Sequence, residues 1–180
     1  MHAALLPVPG EPAILPPMSA SDHPVTAAIR VLRAHGAAFE PHTYDYEEKG
    51  GTARSSSELG VDEHHVVKTL VFETDEKEPL IVLMHGDRQV SAKALARHIG
   101  ARSLKPCAPD VAEKWTGYKV GGTSPFGTRR PLPVYAERTI FELDRIFING
   151  GGRGFLVSLE PRVLREILNA EAVDVAIEKS

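Results

Sequence analysis

The sequence predicts a mixed α/β domain with a curled, largely antiparallel sheet surrounded by helices. Three observations support this fold class. Segments with helical and strand periodicity follow one another along the chain, apolar strand segments are joined by short turns typical of hairpins, and no repeat or change in composition divides the chain. A single domain is therefore expected, because 180 residues suffice to bury one sizeable core.

Helices are predicted where apolar residues recur three and four positions apart between capping residues and glycines. Asp22 and Pro24 indicate the start of the first helix, and Thr52 is expected to cap the second. Ser91 and Gly100 bound a third, basic helix. The predicted helices are 23–35, 53–59, 92–99, 109–117 and 161–168.

Strands are predicted where short apolar runs lie between turn signals. The charged turn TDEKEP joins one pair of strands, and the turn GGRG joins another. The segment TGYKVGGTSPFG, at 116–127, fits neither period and is predicted to be a loop because it is rich in glycine. The predicted strands are 39–46, 66–73, 80–85, 132–135, 145–150, 155–159 and 172–177.

The composition is that of an ordinary globular protein, with 42% hydrophobic residues, 25% charged residues and a net charge of −3. The single cysteine, Cys107, excludes an internal disulfide framework. No apolar run approaches the roughly 18 residues of a membrane span, so we expect a cytoplasmic protein with no membrane partner. The proline-rich residues 1–21 lack a basic start, which favours a flexible lead-in over a signal peptide, with the domain at 22–180.

A basic stretch runs from Arg88 to Pro109, with five lysines and arginines and no acid. Such a stretch on a mildly acidic protein suits a polyanion. The alternative is a solvated helix face that is basic without a partner. The residues expected to contact nucleic acid are Lys93, Arg97 and Arg102.

Several common catalytic motifs are excluded by their spacing. Residues 122–127 have the outer glycine spacing of a P-loop, but Thr128 replaces the lysine and Pro125 interrupts the loop. There are eight histidines but no HExxH or CxxC, so neither a metal nor another cofactor is expected. GxSxG is absent, no recognised motif pairs a serine with a histidine, and Cys107 has no activating neighbour in sequence.

The remaining candidate residues suit substrate positioning rather than nucleophilic attack. Strand alternation puts Lys68 on the more apolar face of its strand, where an unpaired lysine is rare. Lys68 either extends to water from a strand end or lines a cleft that receives an anionic or carbonyl group. Thr69, Tyr44 and the bare amides near Gly121 and Gly122 would complete an oxyanion-stabilising site.

Four segments, in this order, resemble the YbaK-type aminoacyl-tRNA deacylases, relatives of the editing domain inserted in bacterial prolyl-tRNA synthetases. The segments are HTYDY (42–46), VVKTLVF (66–72), TGYKVGGTSPFG (116–127) and INGGGRGF (148–155). The resemblance extends from about residue 22 to the C terminus. It implies a small α/β enzyme that clears a wrong amino acid from aminoacylated tRNA(Pro), usually cysteine, without a cofactor and without DNA as a partner.

By matching position, the resemblance makes Lys68 the functional lysine, and Gly121 and Gly122 present amides to the substrate carbonyl. The residues implied to contact the substrate are Tyr44, Thr69, Thr123, Ser124, Pro125, Asn149, Gly150 and Gly151. Because the chain offers no nucleophile of its own, we expect the thiol of the substrate cysteine to attack. Relatives carry an acid at the position of Leu156 and a serine at that of Asn149. Loss of the acid is expected either to shift the amino-acid preference or to weaken the contact with tRNA.

Two alternatives remain at this point. The first is a deacylase that uses water to act on Ala-tRNA(Pro) or another small aminoacyl-tRNA. The second is a non-catalytic binder of tRNA or nucleotides, although Lys68 together with the glycine loop favours an enzyme. The sequence does not determine the oligomeric state, or whether the protein acts alone or docks on prolyl-tRNA synthetase.

Overall fold

The computed structural model describes residues 23–180, so the lead-in expected at 1–21 lies outside the described residues, as does Asp22. None of the helices in the described part is long and apolar enough to cross a membrane. The helices are α1 (Ala27–Ala34), α2 (Gly51–Leu59), α3 (Ala92–Ile99), α4 (Pro109–Thr116) and α5 (Arg162–Leu168). The strands are β1 (Glu40–Thr43), β2 (Val66–Thr74), β3 (Pro79–His85), β4 (Arg88–Val90), β5 (Leu104–Pro106), β6 (Val134–Glu137), β7 (Ile146–Gly152), β8 (Phe155–Leu159), β9 (Glu171–Val173) and β10 (Ala176–Glu178).

Most strands form one mixed sheet in the order β1-β8-β7-β2-β3-β6-β9, and β5 pairs with β2 off this path. The pairs β1–β8, β7–β8, β2–β3 and β2–β5 are antiparallel. The pairs β2–β7, β3–β6 and β6–β9 are parallel. Strands β4 and β10 form a separate antiparallel ribbon. The predicted mixed α/β fold with a largely antiparallel sheet is confirmed, and so are both hairpins.

Apolar clusters cover both faces of the sheet. In β3, Ile81 and Leu83 belong to the cluster that includes residues of α1 and α5. Val82 and Met84 belong to the other cluster, which includes Leu95 of α3. Successive strand side chains point to opposite faces, so β3 is buried on both sides. Each such side chain contributes roughly 1.5–3 kcal/mol to folding, and the central strands form a rigid base for the loops around them.

Two predicted helix starts are wrong. Helix α1 begins at Ala27 instead of residue 23, because the side chain of Thr26 accepts a hydrogen bond from the N–H of Ile29 at 3.1 Å and caps it. Thr52 lies inside α2 and does not cap it. The hydroxyl of Thr52 donates instead to a carboxylate oxygen of Glu63 at 2.7 Å.

The predicted last strand, 172–177, is two strands in two different sheets. The carboxylate of Glu137 is buried and accepts hydrogen bonds from the N–H groups of Val175 and Ala176 at 2.8 and 2.9 Å. These bonds redirect the chain after β9, so that β10 leaves the main sheet and pairs with β4. A side chain 38 residues away in sequence imposes this break.

Other strand boundaries also differ from the prediction. The first strand ends at Thr43, before Tyr44, and the predicted strand at 132–135 lies at Val134–Glu137. Strands β4 and β5 were not predicted, because three residues are too few for a period to be recognised. Both depend on their pairing partners, β10 and β2.

Candidate active site

The candidate site lies at a gap in the sheet beside β2. One edge of β2 pairs with β3 from Val67 to Glu73. The other edge pairs with β7 only at Val66 and Val67, and with β5 only from Phe72 onward. Residues 68–71 therefore have no strand neighbour on that edge, and a cavity of about 760 Å³ opens there.

Three irregular segments enclose this cavity together with α2 and β5. They are the turn after β1, the glycine loop 117–133 after α4, and the β7–β8 hairpin. The predicted residues that line the cavity are Tyr44, Lys68, Thr69, Gly121, Thr123 and Asn149. The predicted residues outside its lining are Gly122, Ser124, Pro125, Gly150 and Gly151.

Lys68 is half-buried in the interior of β2 and lines the cavity, which agrees with the cleft interpretation of the sequence. Its ammonium donates a hydrogen bond to the backbone carbonyl of Arg88 in β4. An ammonium has three N–H donors, so two remain for a ligand. No carboxylate forms an ion pair with Lys68 within the described residues.

Burial and nearby charged groups shift the pKa of Lys68. Burial and then the positive charge of Lys179 lower the pKa of Lys68 below the ordinary lysine value, while Glu63 and Asp87 oppose this shift. The ammonium of Lys179 lies 3.2 Å from a carboxylate oxygen of Glu63, and the hydroxyl of Thr52 donates to the same oxygen. The end of the chain is thereby tied to α2 next to the site.

Thr69 directs polar groups into the gap. The N–H of Cys107 donates to the carbonyl of Val71 at 2.9 Å on this edge. Backbone groups of alternate residues face the same edge, so the N–H and C=O of Thr69 also face the gap. Its hydroxyl oxygen is buried and has no hydrogen-bond partner among residues 23–180. Because this oxygen is covered by protein, Thr69 offers a ligand its backbone N–H and C=O rather than its hydroxyl.

Tyr44 leaves the sheet at the end of β1 and lines the cavity. Its N–H donates to the carbonyl of Gly154 at 2.9 Å, which anchors this turn to the β7–β8 hairpin. Burial raises the pKa of the Tyr44 phenol. The hydroxyl therefore stays neutral near pH 7 and can donate a hydrogen bond to a substrate oxygen.

The glycine loop packs backbone to backbone against the hairpin. A Cβ on Gly122 would lie 2.9 Å from the backbone nitrogen of Arg153, so only glycine fits there. The N–H of Gly122 donates to the carbonyl of Lys119 at 2.9 Å and is not available to a ligand. Within residues 23–180, the N–H groups of Gly121 and Thr123 have no hydrogen-bond partner, and both residues line the cavity.

The remaining predicted loop residues serve the loop itself. Ser124 is fully buried, and its hydroxyl accepts a hydrogen bond from the N–H of Phe126 at 3.2 Å. Pro125 is also buried. Both residues hold the loop against the core rather than line the cavity.

Asn149 clamps the hairpin to the glycine loop. Its side-chain oxygen accepts hydrogen bonds from the N–H groups of Gly151 and Gly152 at 2.7 and 3.1 Å. Its side-chain nitrogen donates to the carbonyls of Gly152 and Gly121 at 3.1 and 3.3 Å. Asn149 thus lines the cavity, while both ends of its side-chain amide bind the protein. Gly151 contributes only its backbone N–H to this clamp. A serine could not make all these bonds.

The three predicted tRNA-binding residues, Lys93, Arg97 and Arg102, line a second groove beside α3. None of them forms an ion pair in the described part of the chain. Strand β5 connects the two depressions, because Leu104 lines the groove and Pro106 lines the cavity. Two strand residues span about 7 Å, so the basic groove lies close to the cavity.

The cavity lining holds no activated nucleophile among residues 23–180. Cys107 lines the cavity, but burial raises the pKa of its thiol to about 11 and keeps it protonated. One serine–histidine contact belongs to no recognised sequence motif: the Ser158 hydroxyl lies 2.9 Å from His42 Nε2. Ser158 is fully buried outside the cavity and also accepts from Arg145 at 3.0 Å, so this contact is structural. No cluster of metal-ligating side chains occurs in this part of the chain.

Sequence reasoning assigned no role to Tyr46 and Arg153, which also line the cavity. The sequence around each of the two residues gave a weak indication of a functional role. Tyr46 lies two residues after Tyr44, and Arg153 is a charged residue between the glycines of a hairpin turn. Leu156, noted as a departure from relatives, is buried and presents an apolar surface to the cavity.

Comparison with known proteins shows what this chain is similar to. Residues 47–167 match the family model described as the aminoacyl-tRNA editing domain. The chain is 25% identical over 151 residues to EbsC of Enterococcus faecalis (strain ATCC 700802 / V583), provisionally named a Cys-tRNA(Pro)/Cys-tRNA(Cys) deacylase, covering 83% of this chain and 92% of EbsC. It is 38% identical over 98 residues to the proline–tRNA ligase of Nitratidesulfovibrio vulgaris (strain DP4), covering 54% of this chain but 17% of the ligase.

Solved structures share the fold. The hypothetical protein APE2540 superposes with a TM-score of 0.77 at 22% identity, over 84% of this chain and 99% of that one. A crystal structure provisionally described as a trans-editing enzyme for prolyl-tRNA synthetase superposes with a TM-score of 0.74 at 22% identity, over 86% of this chain and 98% of that one.

Proposed function

This chain belongs to the aminoacyl-tRNA editing domain family, and we propose that it removes cysteine from mischarged Cys-tRNA(Pro) in trans, with the thiol of that cysteine as the nucleophile. One observation carries the mechanism. In the described residues, the cavity is lined by no histidine, and its only thiol, that of Cys107, has a raised pKa. The carboxylates of the lining, Glu47 and Glu48, belong to exposed residues.

The substrate can supply the missing nucleophile. A cysteine thiol has an ordinary pKa of about 8.5, so a few per cent is thiolate near pH 7. Its sulfur forms a bond to the carbonyl carbon of the same aminoacyl group, and the ester C–O bond breaks. The ribose oxygen leaves with the electron pair and takes up a proton. The product is a cyclic thioester, which water then opens to free cysteine.

The protein would contribute positioning and electrostatic stabilisation. The free amides of Gly121 and Thr123 suit the oxyanion that develops on the carbonyl oxygen. The two unused N–H groups of Lys68 suit the ester carbonyl or the terminal ribose-phosphate. The strand-edge carbonyl of Thr69 suits the substrate amino group.

A panel of charged tRNAs tests this proposal. Purified protein is mixed with tRNA(Pro) charged with cysteine, S-methylcysteine, serine or alanine, with and without prolyl-tRNA synthetase. Cysteine should leave at least about a hundredfold faster than the others, because only its tethered thiolate gains from proximity. The release of amino acid is measured in single turnovers, and the cyclic thioester is sought by mass spectrometry.

The same panel separates the alternatives. Release of S-methylcysteine or alanine at a similar rate would exclude the thiol as nucleophile and favour water. In that case the apolar wall at Leu156 supports a second candidate function, the clearing of alanine, because a methyl side chain needs no polar partner. Binding of charged tRNA with no release of any amino acid would favour the non-catalytic binding module.

A further inference from the structure

The mouth of the cavity exposes apolar surface. Tyr46 of the turn after β1 is 37% exposed, and Val120 of the glycine loop is 51% exposed. The described part of the chain has few exposed large hydrophobic residues, and they are Val25, Tyr46, Val120 and Ile177. Two of them line one opening, which is typical of a contact surface rather than of scattered surface residues.

Arg153 of the β7–β8 hairpin covers Tyr46. Its guanidinium carbon lies 5.4 Å from the centre of the Tyr46 ring, within cation–π range. Its Nε donates to the carbonyl of Val120 at 2.9 Å, which fixes the guanidinium. Among residues 23–180, Arg153 has no ion pair, and its other N–H groups make no hydrogen bond.

Gly121 sets the position of the Tyr46 ring. A Cβ at residue 121 would lie 2.6 Å from the Tyr46 hydroxyl oxygen, and the glycine has a φ of +87°. The hydroxyl end of the ring therefore lies against bare backbone, and Arg153 lies over the ring. These three residues come from three different segments and form one layer at the mouth.

We propose that Tyr46 and Arg153 form a stacking platform for the base of the 3′-terminal nucleotide of the charged tRNA. This inference rests on the proposed function. Because the amino acid and the terminal base are attached to one ribose, a base at the mouth is compatible with an ester inside the cavity. Unpaired bases are commonly held by stacking on aromatic rings and on guanidinium planes. The free N–H groups of Arg153 also suit the adjacent phosphates.

Two substrates and two variants test the platform. Wild type, Tyr46→Leu and Arg153→Gln are compared on Cys-charged minihelices that end in adenosine or in an abasic ribose. On the adenosine end, each variant should raise KM about tenfold, the size of one lost stacking contact, with little change in kcat. On the abasic end, Tyr46→Leu and the wild type should have the same KM. Tyr46→Trp should recover most of the loss on adenosine.

A second arginine–aromatic pair provides a matched control. The guanidinium carbon of Arg130 lies 5.2 Å from the ring centre of Trp115, and neither residue lines the cavity. Arg130→Gln should leave KM unchanged on both minihelices. An equal rise in KM on both ends for Tyr46→Leu would overturn the inference, because Tyr46 would then only hold the loop. If wild type deacylates no charged tRNA(Pro), the proposed function fails and this inference fails with it.

Discussion

Two opposing sets of influences act on the pKa of Lys68. Burial and Lys179 favour the neutral amine, whereas Glu63 and Asp87 favour the ammonium. The bond to the Arg88 carbonyl fixes the end of the side chain without neutralising its charge. A cation held in this way is ready to bind an anionic or carbonyl oxygen, because residues 23–180 provide no ion-paired counterion that must be displaced.

Lys68→Ala is expected to lower the deacylation rate constant by at least about two orders of magnitude, comparable with the loss of one oxyanion donor. The melting temperature should change little, because the substitution removes a partly desolvated charge. Single-turnover release of cysteine and thermal unfolding measure the two effects. Lys77→Ala, at an exposed lysine outside the cavity, is the control. Near-normal turnover in Lys68→Ala would remove Lys68 from the mechanism.

At the scale of elements, α3 and β5 link the cavity to a basic surface. Ser91 caps α3 at its start, and Gly100 ends it in the left-handed conformation. The polar face of this short helix presents Lys93 and Arg97 to the groove. Strand β5 leads from that groove to the cavity wall, so a nucleic acid with its end in the cavity can lay phosphates along α3.

Replacing Lys93, Arg97 and Arg102 together by alanine is expected to raise KM for charged tRNA and to flatten its salt dependence. Each lost phosphate contact should reduce the slope of log K against log salt by roughly 0.7–0.9, because fewer counterions are released on binding. Deacylation kinetics between low and moderate salt measure both effects.

A control with the same change of net charge replaces Lys77, Arg138 and Arg162, which pair with acids that do not line the groove. If the two triple variants behave alike, only net charge matters and the groove is not the contact surface.

At the scale of the whole molecule, the end of the chain reaches a site built mainly by earlier segments. Strand β10 pairs with β4, whose Arg88 carbonyl accepts the Lys68 hydrogen bond. Lys179, just after β10, bridges to Glu63. The buried Glu137 carboxylate bonds to the backbone at the start of β10 and keeps this C-terminal segment in place.

This arrangement predicts opposite pH shifts in two variants. If Lys68 acts as a cation, activity falls as pH rises through its lowered pKa. Lys179→Met removes a positive charge that lowers this pKa, so the alkaline limb of kcat/KM should move to higher pH. Glu63→Gln removes a negative charge that raises it, so the limb should move to lower pH.

The measurement is kcat/KM against pH on one substrate. Titration of the substrate thiol is common to all variants and cancels in the comparison. Shifts of both variants in the same direction would show that Lys68 does not determine the alkaline limb.

Elements with strong local signals could be predicted from the sequence. Helix α3 between Ser91 and Gly100, and the β2–β3 and β7–β8 hairpins, agree with the prediction. Strands β4 and β5 could not be predicted, because three-residue strands are stable only when a distant strand pairs with them. The division of the last predicted strand also depended on a distant side chain, Glu137.

The sequence by itself determined the family motifs, the face of β2 on which Lys68 lies, and the irregular glycine loop, since these follow from residue types and short-range periodicity. Tertiary structure decided which groups are free to act. It paired the N–H of Gly122 with a backbone carbonyl, made Asn149 a clamp between the hairpin and the glycine loop, and placed Arg153 over the Tyr46 ring. The physical reason is that β7 and β5 pair with opposite ends of β2 and leave a gap, and no local pattern encodes where two separate strands stop pairing.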